Sequence, residues 1–187
     1  EDIDNKKYDL KNLIPEVLKI TEKIKNEDNK NLPVIAAGGI FSGEDMYKYI
    51  KMGASGVQFG TRFVATQECD AHINFKNAIK KKKKEDIRVI KSPVGMPGRT
   101  IYNKFLKDAY DGKKRPSVCK FNCLRSCDPK TTKFCIADAL RAAYNGELEN
   151  GFAFTGSNAY KINKITSVKE VIDEISKEYQ IAKDKSE

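Results

Sequence analysis

The stretch Pro33 to Thr61, PVIAAGGIFSGEDMYKYIKMGASGVQFGT, decides how this chain is read. An apolar run, Val34 to Ala37, stops at Gly38-Gly39; a helical segment follows, and a second short apolar run, Gly56 to Phe59, stops at Gly60-Thr61. The order is strand, glycine loop, helix, strand, glycine loop. Without a Cβ, glycine lets backbone N–H groups come close to an anion, and a helix N-terminus adds partial positive charge. Two such loops side by side can hold one phosphate. In a parallel β/α barrel the loops after the last two strands commonly make that site, so a flavin or sugar-phosphate pocket is expected. Ser42 with Asp45 reads as a cap for the intervening helix, which should end near Met52 and be stopped by Gly53.

Working outward, Leu10 to Lys25 reads as a helix with Leu13, Val17, Ile20 and Ile24 on one apolar face, followed by a polar turn at Asn26 to Asn31. Ala71 to Lys84 reads as another helix, with Ile73, Phe75, Ala78 and Ile79 as its apolar members and the run Lys80 to Lys84 as its solvated C-terminal end. Ile87 to Lys91 is a β-branched strand, after which SPVGMPGR is expected as a Pro/Gly loop leading into a helix of Tyr102 to Tyr110. Ser167 and Glu170 form a capping box ahead of Val168, Val171, Ile172 and Ile175.

Together, AAGGI followed by GASGVQFGTRF, then ECDAH, GMPGRTIYNKF and the SVKEVIDEI helix, resemble the FMN-dependent nitronate monooxygenases (2-nitropropane dioxygenases) and the related flavin-type enoyl-acyl-carrier-protein reductases. The resemblance runs from about Leu13 nearly to the end, and its specificity lies in the combination, since either glycine pair alone is weak. It implies that Gly39 and the run Gln58, Phe59, Gly60 and Thr61 contact FMN, mainly through backbone amides to its phosphate, with Gly38 shaping the turn. A complete barrel needs roughly 250 residues, and this chain has 187. The expectation is therefore an α/β fold: the C-terminal part of a (β/α)8 TIM barrel in residues 1–111, with a Cys-rich loop and helical extension in 112–187. The family's catalytic histidine, in a Gly-Gly-His segment, has no counterpart, so no catalytic residue is expected in this chain.

His72, the only histidine, suits a general base near neutral pH. It precedes the helix of Phe75 to Ile79, and a structural role is the expectation. Arg99 is open between an anion contact and a structural role. The segment GFAFTGSNAY corresponds to a glycine-containing stretch near the family's active-site mouth, where Gly156, Ser157 and Asn158 would approach flavin or substrate; relatives usually carry Gln at the place of Ser157.

Composition fits an ordinary globular protein: 40% hydrophobic residues, nine Phe and eight Tyr can build a core. No apolar stretch approaches the roughly 20 residues of a membrane span, and a cytoplasmic location is the default. The net charge of +9 raises nucleic acid as a partner, but no aromatic is interleaved with the lysine run as a stacking platform, so neither nucleic acid nor membrane is expected.

Beyond Asp111, past Gly112, the basic run Lys113 to Arg115 and Pro116, four of the five cysteines fall within 17 residues: Cys119, Cys123, Cys127 and Cys135 in CKFNCLRSCDPKTTKFC. In a reducing compartment disulfides are disfavoured. Close-set thiols supply soft ligands for zinc or an iron-sulfur cluster, although C-x3-C-x3-C-x7-C is not the zinc-ribbon C-x2-C pair. Ordinary reduced thiols are the alternative, and Cys69 is expected to be simply packed.

The sequence thus points to an FMN oxidoreductase of nitronate monooxygenase type, oxidising alkyl nitronates with O2. The rival is an NAD(P)H-dependent enoyl thioester reductase of fatty acid synthesis. A third reading, of another class, is a non-catalytic phosphate- or metal-binding module, should the chain be complete. The expected partner is a small-molecule substrate, nitronate or enoyl thioester, with a homodimer as the assembly to test.

Overall fold

A computed structural model describes residues 6–80, 82–114, 116, 118–125 and 127–186. Lys81 of the lysine run, Arg115 of the basic run and the first five residues therefore lie outside the described residues. The chain divides into two compact units, one from Asp2–Phe63 with Thr166–Glu187, the other from Val64–Ile165. The position between residues 111 and 112, expected to separate barrel from extension, falls inside the second unit.

The first unit is built on a parallel pair. Strand β1 (Ile35–Ala37) and strand β2 (Gly56–Gln58) pair in the register Ile35↔Gly56, Ala36↔Val57, Ala37↔Gln58. Parallel neighbours need a crossover, and helix α2 (Gly43–Lys51) supplies it. Its start is the expected capping box: Ser42 Oγ accepts from the Asp45 N–H at 3.1 Å while Asp45 Oδ2 accepts from the Ser42 N–H at 3.1 Å. Met52 is its C-cap, and Gly53, at φ +104°, ends it.

Helix α1 (Leu10–Thr21) packs with a different face from the one expected. Ile14 is buried, and Leu10 and Leu18 join it against Val34, Ala36, Ile40 and Ala54. Val17, Ile20 and Ile24 are instead exposed, and the helix ends before Ile24. Helix α7 (Val168–Asp184) starts at the predicted Ser167/Glu170 box, buries Val171 and Ile175, and lies against α2, where Tyr47 and Tyr179 meet edge to face at 5.7 Å.

The second unit has an antiparallel hairpin of β3 (Ile87–Lys91) and β4 (Pro97–Ile101), in register from Ile87↔Ile101 to Lys91↔Pro97. The segment expected as loop into helix is thus a hairpin turn over residues 92–96 followed by strand from Pro97. Helix α5 (Lys104–Tyr110) begins only after Asn103, whose Oδ1 accepts from the Leu106 N–H. Phe154 bridges to Thr100, extending the antiparallel edge, and a Cβ on Gly98 would lie 2.4 Å from the Phe154 ring, which is why glycine stands there. Phe105, Leu106, Phe134 and Phe152 form the core with Ala139 of helix α6 (Ile136–Tyr144).

The lysine run is also corrected. The helix there spans only Ile73–Ile79, Lys80 leaves it in extended backbone, and Lys84–Asp86 make a separate 3-10 turn. Lys80 is thus the C-cap of the helix, and the described lysines beyond it are not part of it. No helix among the described residues is long and apolar enough to cross a membrane.

Candidate functional site

The register of β1 and β2 brings the two glycine loops together. Both strands run the same way, so Gly38-Gly39 and Phe59-Gly60 leave the sheet from adjacent carboxyl ends, directly after the partners Ala37 and Gln58. In open or closed parallel α/β folds ligands bind at this end of the strands. Gly38 has φ +108° and Gly39 φ +70°, left-handed backbone that side chains rarely adopt. A Cβ on Gly38 or on Gly60 would meet no atom within 4 Å. Glycine at Gly60 is therefore required neither by a left-handed backbone nor by a close neighbour.

The predicted residues differ in what they offer. Gln58 is exposed at the end of β2, whereas the Phe59 ring packs against the core of its unit, so only its backbone faces the loop. Thr61 opens a one-turn helix, α3 (Thr61–Val64), whose Phe63 N–H donates to Gly60 O. Arg62 is engaged elsewhere: its guanidinium lies 4.7 Å from the Phe41 ring centre and pairs with Glu174 on α7.

One part of the expected electrostatics changes. The N-terminus of α2 follows the first glycine loop, but carboxylates already take the N–H of Gly43 and those of the two residues before it, and the Asp45 N–H goes to Ser42 Oγ. Asp45 Oδ2 accepts from Phe41 and Ser42, and Glu178 Oε2 of α7 accepts from the Gly43 N–H at 2.7 Å. A phosphate held here would rest on the glycine loops and the start of α3. No local pattern announces Glu178 or Glu174, because each acts over more than a hundred residues of sequence.

His72 is where a structural role puts it. It is the N-cap of helix α4 (Ile73–Ile79): its Nδ1 accepts from the Asn74 N–H at 3.1 Å, and its own N–H donates to Tyr144 O. The ring packs so closely on Gly146 that a Cβ there would lie 2.2 Å from Nδ1, and Gly146 has φ +86°. Gly146→Ala is thus expected to destabilise the protein by about 1–3 kcal/mol, read as a lower denaturant midpoint, and His72→Ala in that background should recover part of the loss. A full recovery would mean that the backbone strain is absent.

Arg99 lies in β4, and its carbonyl accepts from the Thr155 N–H. In the GFAFTGSNAY segment the Thr155 hydroxyl is buried without a hydrogen-bond partner among the described residues, an arrangement that ordinarily costs about 1–3 kcal/mol unless water or a ligand completes it. Cys119, Cys123, Cys127 and Cys135 surround one cavity, and all are unpaired thiols. Burial pushes the Cys127 thiol above the usual range, and the other three thiols act in the same direction. No three His, Cys, Asp or Glu among the described residues stand together as a ready site for a single metal ion.

A family model described as nitronate monooxygenase matches residues 2–178. Two curated relatives, each named a probable nitronate monooxygenase, come from Staphylococcus saprophyticus and Staphylococcus aureus. The first is 40% identical over 79 residues, covering 42% of this chain and 22% of that protein. The second is 38% identical over 104 residues, covering 54% of this chain and 29% of that protein. Among solved structures, FabK from Thermotoga maritima superposes with a TM-score of 0.68 at 31% identity, over 92% of this chain and 49% of that one. A nitroalkane oxidase from Streptomyces ansochromogenes gives 0.66 at 20% identity, over 94% and 44%, and supports the fold alone. The chain thus matches less than a third of the curated relatives' length and about half that of the solved structures.

Proposed function

The chain belongs to the nitronate monooxygenase family, and on that premise we propose that it holds the phosphate of FMN in an oxidoreductase that oxidises alkyl nitronates with O2. The observation that carries the reading is the pair of glycine loops at the adjacent carboxyl ends of β1 and β2. The residues fit the group. Gly38 and Gly39 turn the first loop through left-handed backbone, Gly60 leaves space beside it, and Gln58, Phe59 and Thr61 present backbone at the second loop. When bound, FMN supplies the electron transfer between substrate and oxygen. The chain contributes binding and orientation: amides aimed at a dianion, and an apolar body, Val34, Ala36, Ile40 and Ala54, that keeps the loops in register.

An enoyl thioester reductase drawing electrons from NAD(P)H is the second reading, and the 31% likeness to FabK is its support. The deciding experiment is anaerobic reduction of the flavin-loaded protein. Rapid bleaching by an alkyl nitronate, with slow or no bleaching by NAD(P)H, is expected; the reverse order would favour the second reading, and failure to bind FMN would overturn both.

Thr61 gives a narrower test. Charge-assisted hydrogen bonds contribute about 1.5–3 kcal/mol, and roughly 1.4 kcal/mol is one decade of affinity. Thr61→Val is therefore expected to weaken FMN about tenfold or more in a flavin-fluorescence titration. An unchanged Kd would place its hydroxyl away from the phosphate.

A further inference from the structure

Between α5 and α6, residues 111–135, the described residues contain neither helix nor strand. A structureless connection longer than about 12–15 residues is uncommon inside a compact unit unless something functional orders it. Apolar burial anchors the loop at its end, where Phe134 is 3% exposed in the core, but not around the first cysteines, where Val118 is 69% exposed, Phe121 41% and Leu124 36%. The loop's internal backbone bonds are short-range, such as Cys127 N–H to Leu124 O and Thr132 N–H to Asp128 O. Yet from this loosely anchored segment Cys119, Cys123, Cys127 and Cys135 converge on one cavity of about 80 Å3, walled by Pro93, Val94 and Ile136. Asn122 takes a left-handed φ of +43°, and its N–H donates to Cys119 Sγ at 3.3 Å. Such N–H···S bonds are the outer contacts that orient and tune a sulfur ligand at a metal.

We propose that these four cysteines ligate an iron-sulfur cluster that fixes the 111–135 loop. Size separates this from a zinc site. A single tetrahedral ion needs its sulfurs about 2.3 Å from one centre, hence about 3.8 Å apart, and no such set exists among the described residues. A cluster distributes the thiolates over several irons and so requires a wider ring of sulfurs around a real volume. The cavity holds several times the ~10–15 Å3 that one water needs. Charge agrees as well: a cluster with four thiolates carries net negative charge, and between the first and last cysteine stand Lys120, Arg125, Lys130 and Lys133 against the single acid Asp128.

The test is purification without oxygen, followed by reconstitution with ferrous iron and sulfide, and chemical analysis of the desalted protein. Iron and acid-labile sulfide in equal amounts, about two or about four of each per chain, with visible absorbance beyond any flavin bands, is the expected result. Cys123→Ser should lose at least half of the iron, whereas Cys69→Ser, outside the ring, should keep it. Limited proteolysis should cut the iron-free protein between residues 111 and 135 and spare the loaded form. Iron below a tenth of an equivalent in the wild-type protein, zinc in its place, or equal iron in the two variants would overturn the proposal. The wild-type analysis decides even if Cys123→Ser does not fold.

Discussion

Gly43→Ala is expected to unseat helix α7 from α2 and lower the unfolding midpoint by about 2–12 °C. A Cβ at Gly43 would lie 2.0 Å from Ile175 O, 2.3 Å from Tyr179 N and 2.8 Å from Glu178 Cβ. Two of the three are backbone atoms, so no rotamer change relieves the overlap and the helices must separate. Overpacking of this kind costs about 1–3 kcal/mol or more, and at this chain length each kcal/mol moves the midpoint by about 2–4 °C. Separation also breaks the 2.7 Å bond from the Gly43 N–H to Glu178. Thermal unfolding followed by circular dichroism reads the effect, with Glu178→Gln as a milder control that keeps the packing. A midpoint within about 1 °C of wild type would show that the helices do not meet as closely as described.

Gly60→Val is expected to abolish FMN binding while leaving the fold intact. A Cβ at Gly60 meets nothing within 4 Å, and Gly60 is not among the left-handed glycines, so valine strains neither packing nor backbone. Its side chain would nevertheless occupy the space beside Gly38-Gly39 that a phosphate needs. Loss of affinity by at least about a hundredfold, near 2.7 kcal/mol, should accompany an unchanged unfolding midpoint. Gly39→Val, at φ +70°, should instead lose both flavin and stability. Wild-type flavin occupancy in Gly60→Val would sink the phosphate site.

The β1–α2–β2 segment was legible because every signal in it is local: apolar runs of strand length, a Ser/Asp cap and glycines where the backbone must turn. The face of α1 was not. Leu13, Val17, Ile20 and Ile24 share one stripe and Leu10, Ile14 and Leu18 the adjacent one, so the apolar arc is wider than the buried face and the packing selects one side of it. Strand β4 reads as loop because it begins at Pro97 and contains Gly98. It forms because β3 and Phe154 pair with it, and Pro97, at the strand's first position, is where proline is tolerated. The juxtaposition of the two glycine loops was legible from sequence, but the state of the α2 N-terminus was not, since the carboxylate on the Gly43 N–H arrives from the far end of the chain.

That carboxylate has a consequence for how a dianion finds its place. An unfilled α2 start would compete with the glycine loops for a dianion. With the Asp45 and Glu178 carboxylates at that helix start, a phosphate approaching it would meet negative charge, so its landing point would be selected by repulsion as much as by attraction. On the proposed flavin reading, the sharpness of binding position that a flavin ring needs if its reactive edge is to face substrate would thus depend on Glu178, a side chain in the last helix.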